Sequence, residues 1–354
     1  MDAAMKNIVI LATGGTIAGA GEQGNDIGYK SGSIEAQTLI DAIPELKNVA
    51  NIFVEQVCNI NSDDITSEIW ISLALRIKEL SENGFGDSHE NVDGFVVMHG
   101  TDTMEETAFF LSLTLGGSAP SAAGNDAKPV IMTGSMRPAT AAEPDGPANL
   151  LFAVKTAVSC SPHELSCLPL SGHLPLVNAK NATSSWSNAT GSSEVYVAFA
   201  GKLMDARTVQ KIHANDLDAF AEIGAAQSSR PAFDISSLHS LPRVSVLYFN
   251  ADADAELVRF AAERSAGLVI AGAGAGEFSR AWADAIAEAV AEKNIPVVIS
   301  TRINRGRIVP EQLLVPGTIA AYDLPPAKAA VLLRLALTTT NDPAAIQKFY
   351  QRYT

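Results

Sequence analysis

Two threonines in this 354-residue chain stand where a hydroxyl can do chemistry. The first is Thr16, in residues 8–24, IVILATGGTIAGAGEQG. Five apolar residues run into Thr13-Gly14-Gly15-Thr16, so a buried strand ends in a glycine pair flanked by threonines. The glycines let the backbone pass close to a substrate, and Thr16 projects its hydroxyl into the gap. Such a hydroxyl is a poor nucleophile until a base or a low-dielectric site activates it. The second is Thr101, in GFVVMHGTDTMEE, which is again strand, glycine and then Thr101-Asp102-Thr103. Thr103 with Glu106 three residues on fits a capping box. That leaves Thr101 and Asp102 at the carboxyl end of the strand, where a carboxylate suits an ammonium group or orients a lysine. The lysine candidate is Lys211, in DARTVQKIHANDLDAF. Buried beside Asp102 it would have a lowered pKa and act as a base; the residues alone favour a solvated surface lysine.

The glycines also invite a phosphate reading, which fails on spacing. A Walker loop needs a lysine directly after its glycines, and none follows until Lys30. Gly14, Gly15, Gly19 and Gly21 miss the dinucleotide register, and Gly272, Gly274 and Gly276 give only a weak match. Both stretches read as strand-to-helix turns.

The elements that must position these residues alternate along the chain. KNIVILA, NIFVEQV, DGFVVMHG, KPVIMTGS and SEVYVAFAG read as strands, most of them continuously apolar, as parallel strands covered on both faces are. EAQTLIDAIPEL and SEIWISLALRIKEL read as helices, and MEETAFFLSLTL places Met104, Ala108, Leu111 and Leu115 on one face. The expected fold is α/β, a larger N-terminal parallel-sheet domain over residues 1–220 and a smaller C-terminal α/β domain over 241–354. Residues 221–240, poor in periodic apolar positions, form the expected linker. RVSVLYF, AGLVIAGAG and IPVVIST restart the strand pattern, and AKAAVLLRLALT makes a late helix. In such folds active residues sit at the carboxyl ends of strands.

Bulk properties narrow the function. Net charge is −14, which argues against a nucleic-acid partner, whose phosphates need a basic face. Three cysteines do not make a disulfide framework, and no apolar run is long enough to span a bilayer. The start MDAAMKNIVI lacks the charged and apolar regions of a secretory signal. A cytoplasmic protein is expected, with a mature periplasmic chain as the alternative.

LATGGTIAG and GFVVMHGTDTMEETAFFL together resemble the two signatures of the bacterial-type L-asparaginase family, the second closer to the type II branch. TGSMRPATAAEPDGPANL resembles a third family segment, and the likeness runs through STRINRGRIVP to VLLRLALTTTNDPAAIQKFY. The resemblance implies hydrolysis of L-asparagine to L-aspartate and ammonia without metal or organic cofactor. It implies a homotetramer built from intimate dimers, with sites at subunit boundaries. Thr16 matches the primary nucleophile and Tyr29 the lid tyrosine beside it. Thr101, Asp102 and Lys211 match the second threonine, its aspartate and the lysine base. Ser62 matches the residue that grips the α-carboxylate, Asp102 also holds the α-ammonium, and Ser135 matches the position whose backbone carbonyl meets the leaving amide. Gly15 allows the close approach. The loop from Gly19 to Gly32 holds five glycines, so it can close over substrate.

The chain departs from the family pattern in places. Asp63 stands where Gln or Glu is usual, and Glu277 where an Asn or Ser reaches in from a neighbouring subunit, or else is a solvated loop carboxylate. These leave the preference for Asn over Gln open, and minor glutaminase activity is expected. The segment 160–193 is a longer insertion whose Cys160, His163, Cys167 and His173 lack a standard zinc spacing; no metal site is expected. His99, inside a strand pattern, reads as packed rather than catalytic. A tRNA-dependent amidotransferase subunit would add an N-terminal domain and an RNA-binding partner, neither expected here. A regulatory protein with a dead site is at odds with Thr16, Thr101, Asp102 and Lys211 occurring together.

Overall fold

A computed structural model describes residues 4–24, 28, 30–115, 128–159, 195–224 and 232–353. The chain divides into two compact units, Met1–Ser237 and Leu238–Thr354.

The first unit is built on a six-stranded sheet. Its strands are β1 (Asn7–Gly14), β2 (Asn51–Ile60), β3 (Gly94–Met98), β4 (Val130–Thr133), β5 (Val195–Phe199) and β6 (Lys202–Asp205), in the spatial order β2-β1-β3-β4-β5-β6. All neighbours pair in parallel except β5 with β6. The helices are α1 (Ala36–Asp41), α2 (Ser67–Asn83), α3 (Met104–Leu115) and α4 (Gly146–Ser159). Ile8, Ile10, Ala12, Val96, Met98 and Ile131 form one buried face with residues of α1 and α4. The alternate positions Val9, Leu11, Phe95, Val97, Val130 and Met132 are buried as well. Burial on both faces explains why these strands are apolar without alternation.

One helix reading needs correction. The stretch 35–46 is not one helix: α1 stops at Asp41 and a 3-10 turn, Pro44–Asn48, follows. Pro44 has no N–H to donate, and Ile43 before it is held out of the helical region at φ −121° and ψ 78°. In α3 the face of Met104, Ala108, Leu111 and Leu115 is buried as read from the sequence, and burial extends to every residue from Thr107 to Leu115, so the helix is enclosed nearly all round. Its hydroxyls are satisfied inside: Ser112 Oγ donates to Phe109 O at 2.8 Å and Thr114 Oγ1 to Phe110 O at 2.9 Å.

The end of β3 is fixed by a directed chain of hydrogen bonds. Trp70 Nε1 on α2 donates to Thr107 Oγ1 on α3 at 2.8 Å, and that hydroxyl lies 3.0 Å from His99 Nε2. His99 Nδ1 lies 2.7 Å from Gly100 O. A carbonyl only accepts, so Nδ1 carries the hydrogen and Nε2 accepts from Thr107. His99 is therefore a neutral, packed side chain with both nitrogens used.

A two-stranded hairpin, β7 (Val209–Lys211) and β8 (Phe220–Glu222), completes the first unit. The second unit carries β9 (Val244–Tyr248), β10 (Gly267–Gly272), β11 (Val297–Thr301) and β12 (Ile319–Ala320) in one parallel sheet, order β12-β11-β10-β9. Its helices are α5 (Glu256–Ala262), α6 (Arg280–Ala291), α7 (Pro326–Ala336) and α8 (Pro343–Tyr353). No helix among the described residues is long and apolar enough to cross a membrane.

Burial drives the His99 pKa down from 6.5 to about 4. A depressed folded-state pKa means that below pH 6.5 the unfolded chain takes up a proton the folded chain refuses. Stability is therefore complete above about pH 6.5 and falls towards pH 4, by about 3 kcal/mol from this group. His99→Gln should flatten the slope of unfolding free energy across that window in urea melts at pH 7, 5.5 and 4. An unchanged slope would assign the acid sensitivity elsewhere.

Candidate active site

Strand order reverses at β1: the chain steps from β1 out to β2 on one side and then to β3 on the other. Open α/β sheets bind ligands at such a switch point, beyond the carboxyl ends of the strands. Thr16 follows β1 and Thr101 follows β3, so both threonines lie at this crevice.

Backbone contact holds them there. Gly14 and Gly15 take φ of +106° and +81°, which L side chains rarely adopt. A Cβ on Gly15 would lie 2.5 Å from both Cα and N of Gly100. A Cβ on Gly100 would lie 2.7 Å from Ser62 Oγ. The ends of β1 and β3 thus stack backbone on backbone, and the Ser62 side chain of the turn after β2 packs against Gly100. Gly15 N donates to Ile60 O at 2.9 Å, and Gly15 O accepts from Ala18 N and Gly32 N, each at 3.2 Å. Thr16 opens a short 3-10 turn, Thr16–Ala18, and is half-buried.

The threonines of each motif divide by role. Thr13 Oγ1 donates to Met98 O at 3.0 Å and ties β1 to β3. The Thr103 hydroxyl donates to Ser62 O at 2.6 Å and ties the turn Ser62–Asp64 to the end of β3. Ser62 is buried, and its Oγ accepts from Asp102 N at 3.2 Å, which leaves its own proton to donate. Thr101 is buried and meets a cation: Lys211 Nζ lies 2.9 Å from Thr101 Oγ1 and 2.5 Å from Asp102 Oδ1. Lys211 is not a solvated surface lysine, its side chain being 15% exposed against 68% for Asp102. The Lys211 backbone N–H donates to Glu105 Oε2, so the residue is held at both ends by the segment after β3.

The neighbouring positions frame this cluster. Asp63 is exposed in the same turn as Ser62. Ser135 follows β4 and is fully buried, with its Oγ donating to Arg137 O at 2.7 Å. The glycine-rich loop is closed at its neck by paired bonds between Ala20 and Lys30, at 3.0 and 2.9 Å. It docks on Thr140, whose O accepts from Gly24 N at 2.8 Å and whose Oγ1 accepts from Gly21 N at 3.0 Å. Asn59 Nδ2 donates to Gly32 O. Tyr29 lies outside the described residues, as do Cys160, His163, Cys167 and His173. Glu277 belongs to the second unit, exposed in a tight turn after β10 where its N donates to Ala273 O at 2.7 Å. Among the described residues no group of three or more His, Cys, Asp or Glu could hold a metal ion.

Sequence reading missed Glu105, Asn59 and Asp145. Glu105 was visible as one of two acidic residues in the first turn of α3. Asp145 stands before α4 in the quoted segment EPDGPANL, yet its bonds run back to the chain after β4 and carry no local signal.

Family models described as "Asparaginase, N-terminal" and "Glutaminase/Asparaginase C-terminal domain" match residues 7–179 with 171–230, and residues 243–350. The chain is 37% identical over 352 residues to L-asparaginase 2 of Bacillus subtilis, covering 99% of this chain and 87% of that one. It is 33% identical over 363 residues to the glutaminase-asparaginase of Pseudomonas fluorescens, covering 99% and 91%. The solved structure of a probable cytoplasmic L-asparaginase from Campylobacter jejuni matches with a TM-score of 0.78 at 35% identity, covering 98% of this chain and all of that one. With the paired threonine motifs at the sheet's switch point, both halves of the chain matched and these relatives aligned over most of their length, the chain belongs to the asparaginase family of amidohydrolases.

Proposed function

We propose that this enzyme hydrolyses L-asparagine to L-aspartate and ammonia, with Thr16 as nucleophile and minor activity on L-glutamine. The observation that carries the reading is the Lys211–Thr101–Asp102 cluster one residue beyond the Gly15–Gly100 contact that also positions Thr16. The Thr16 hydroxyl attacks the side-chain amide carbon, and its proton is passed on to the leaving nitrogen. Ammonia departs as the C–N bond breaks. Water then attacks the resulting ester, giving L-aspartate and restoring the Thr16 hydroxyl. Thr101 and Lys211 carry the proton, since Nζ and Oγ1 are within transfer distance. Backbone amides near Thr101 stabilise the developing oxyanion. Ser62 donates to the α-carboxylate, while Asp102 and Asp63 face the α-ammonium. Tyr29 closes the lid side. No organic cofactor or metal enters the chemistry.

Thr16→Ala should lower turnover on the order of a thousandfold or more in a folded protein. Lys211→Met should cut kcat roughly a hundredfold to ten-thousandfold while KM changes little. Steady-state kinetics on L-asparagine separate the two, and near-normal turnover in Thr16→Ala would remove the assignment.

Selectivity rests on Asp63. Its side chain is one methylene shorter than Glu, and glutamine is one methylene longer than asparagine. The anchoring of the α-groups then sets which amide reaches Thr16. Asp63→Glu and Asp63→Gln should each shift the ratio of kcat/KM for asparagine over glutamine, by about 1–3 kcal/mol at most. Equal ratios in all three proteins would make Glu277 or the lid the determinant.

The assembly we propose is a homotetramer of intimate dimers, with Glu277 reaching a neighbouring subunit's site. Exposed Tyr248, Leu257, Phe260 and Leu314 in the second unit support burial against another copy. The description of the Campylobacter relative supports a cytoplasmic location. Light scattering should give four times the 37.1 kDa chain mass, and cell fractionation should find activity in the cytoplasm. A monomeric mass at full activity would sink the shared-site reading.

A further inference from the structure

We propose that Asp145 is a positioning residue that aims the Ser135 carbonyl at the leaving nitrogen, and so sets the preference for amides over oxygen esters. The idea rests on the reading above, in which that carbonyl meets the leaving amide.

Asp145 immediately precedes α4, where an aspartate ordinarily turns its carboxylate onto its own helix's N–H groups. Here both oxygens run elsewhere. Oδ2 accepts from Met136 N at 2.9 Å and from Asn149 Nδ2 at 3.2 Å, and Oδ1 accepts from Arg137 N at 2.9 Å. Two consecutive amides of the segment after β4 are therefore held by one carboxylate, in charge-assisted bonds.

The consequence follows from peptide geometry. Met136 N–H and Ser135 C=O belong to one planar trans peptide and point in opposite directions. Fixing the N–H on Asp145 fixes the carbonyl pointing away from it. Neighbouring groups confirm how tightly the segment is tied. Gly134 O accepts from Asn149 Nδ2 at 3.0 Å, Asn149 Oδ1 accepts from Ala200 N at 3.0 Å, and Arg137 O accepts from Ser135 Oγ. Ser135 O takes no hydrogen bond from any described residue, although Ser135 is fully buried. A buried carbonyl wants a donor. The departing nitrogen of an amide brings N–H groups and gains a further proton as the C–N bond breaks. The alkoxy oxygen of an ester brings none.

The test compares L-asparagine with the β-methyl ester of L-aspartate in wild type, Asp145→Ala and Asp145→Asn. Wild type hydrolyses both. Asp145→Ala should lose roughly ten- to hundredfold in kcat on the amide, the scale of a misplaced contact. Its kcat on the ester should fall less than about threefold on the same argument, with KM for both little changed. Asp145→Asn keeps one acceptor oxygen and should recover part of the loss on asparagine. If Asp145→Ala fails to fold, the amide-to-ester ratio in Asp145→Asn decides. A wild type inert on the ester, or an equal loss on both substrates, would overturn the proposal while leaving the asparaginase reading intact. A wild type inactive on asparagine, or an active Thr16→Ala, would instead strike the reading beneath it.

Discussion

The close approach of Gly15 to Gly100 is the constraint on which the site depends. A side chain at Gly15 would have to occupy space that the Gly100 backbone already fills, and one at Gly100 would run into the Ser62 side chain. With both Cβ atoms absent, the chain leaving β1 lies directly on the chain leaving β3, and Ser62 lies directly beyond it. The same region of a sheet whose strand order did not reverse would offer no crevice there. Topology supplies the opening, and glycine lets the two threonine-bearing loops share it.

Once the loops are stacked, the roles of the hydroxyls follow from geometry rather than from residue type. Thr13 and Thr103 spend their protons on Met98 and Ser62 carbonyls and act as stitches between strands. Thr101, between those stitches, is left to Lys211. The amphiphilic chain Trp70–Thr107–His99 does the same work from the interior, ending on the Gly100 carbonyl. Gly100 is thereby held through its carbonyl by His99 while its other side lies against Gly15. A polar network buried this deep between α2, α3 and the end of β3 is tolerated because every member has a partner.

Much of the fold was legible because its cause is local to each strand. Residues such as Val9, Val96 and Ile131 are buried whichever face they point to, so a continuous apolar run is the direct signature of a covered parallel strand. Helix limits were less legible, since Pro44 breaks a stretch whose apolar periodicity runs on. The apolar face of α3 was legible but not its full enclosure: Thr107, Ser112 and Thr114 look polar in sequence, and the partners that let their hydroxyls be buried appear only in three dimensions. Of the site, the two threonine motifs announce themselves through glycine. The meeting of Lys211 with Thr101 and Asp102 does not, because a three-residue strand far along the chain has no pattern that names its partner. The bonds of Asp145 escaped for a related reason, an aspartate before a helix being the ordinary look of a cap.

On the proposed reading, the two ends of the substrate meet surfaces of different construction. Asp63 and Asp102 are exposed side chains screened by water, Asp63 able to adjust by rotamer and Asp102 held on one oxygen by Lys211. Recognition of the α-groups there is electrostatic and adaptable, which suits discrimination of one methylene by only a modest factor. The leaving-group side is made of buried backbone, and a peptide plane cannot adjust by rotamer. Its direction is fixed by whatever holds the other edge of the plane, here a carboxylate with both oxygens engaged. Such a surface favours a leaving group that brings N–H donors over one that brings none. An enzyme built this way grades leaving groups by how they meet fixed backbone and grades chain length by how adaptable side chains hold the α-groups.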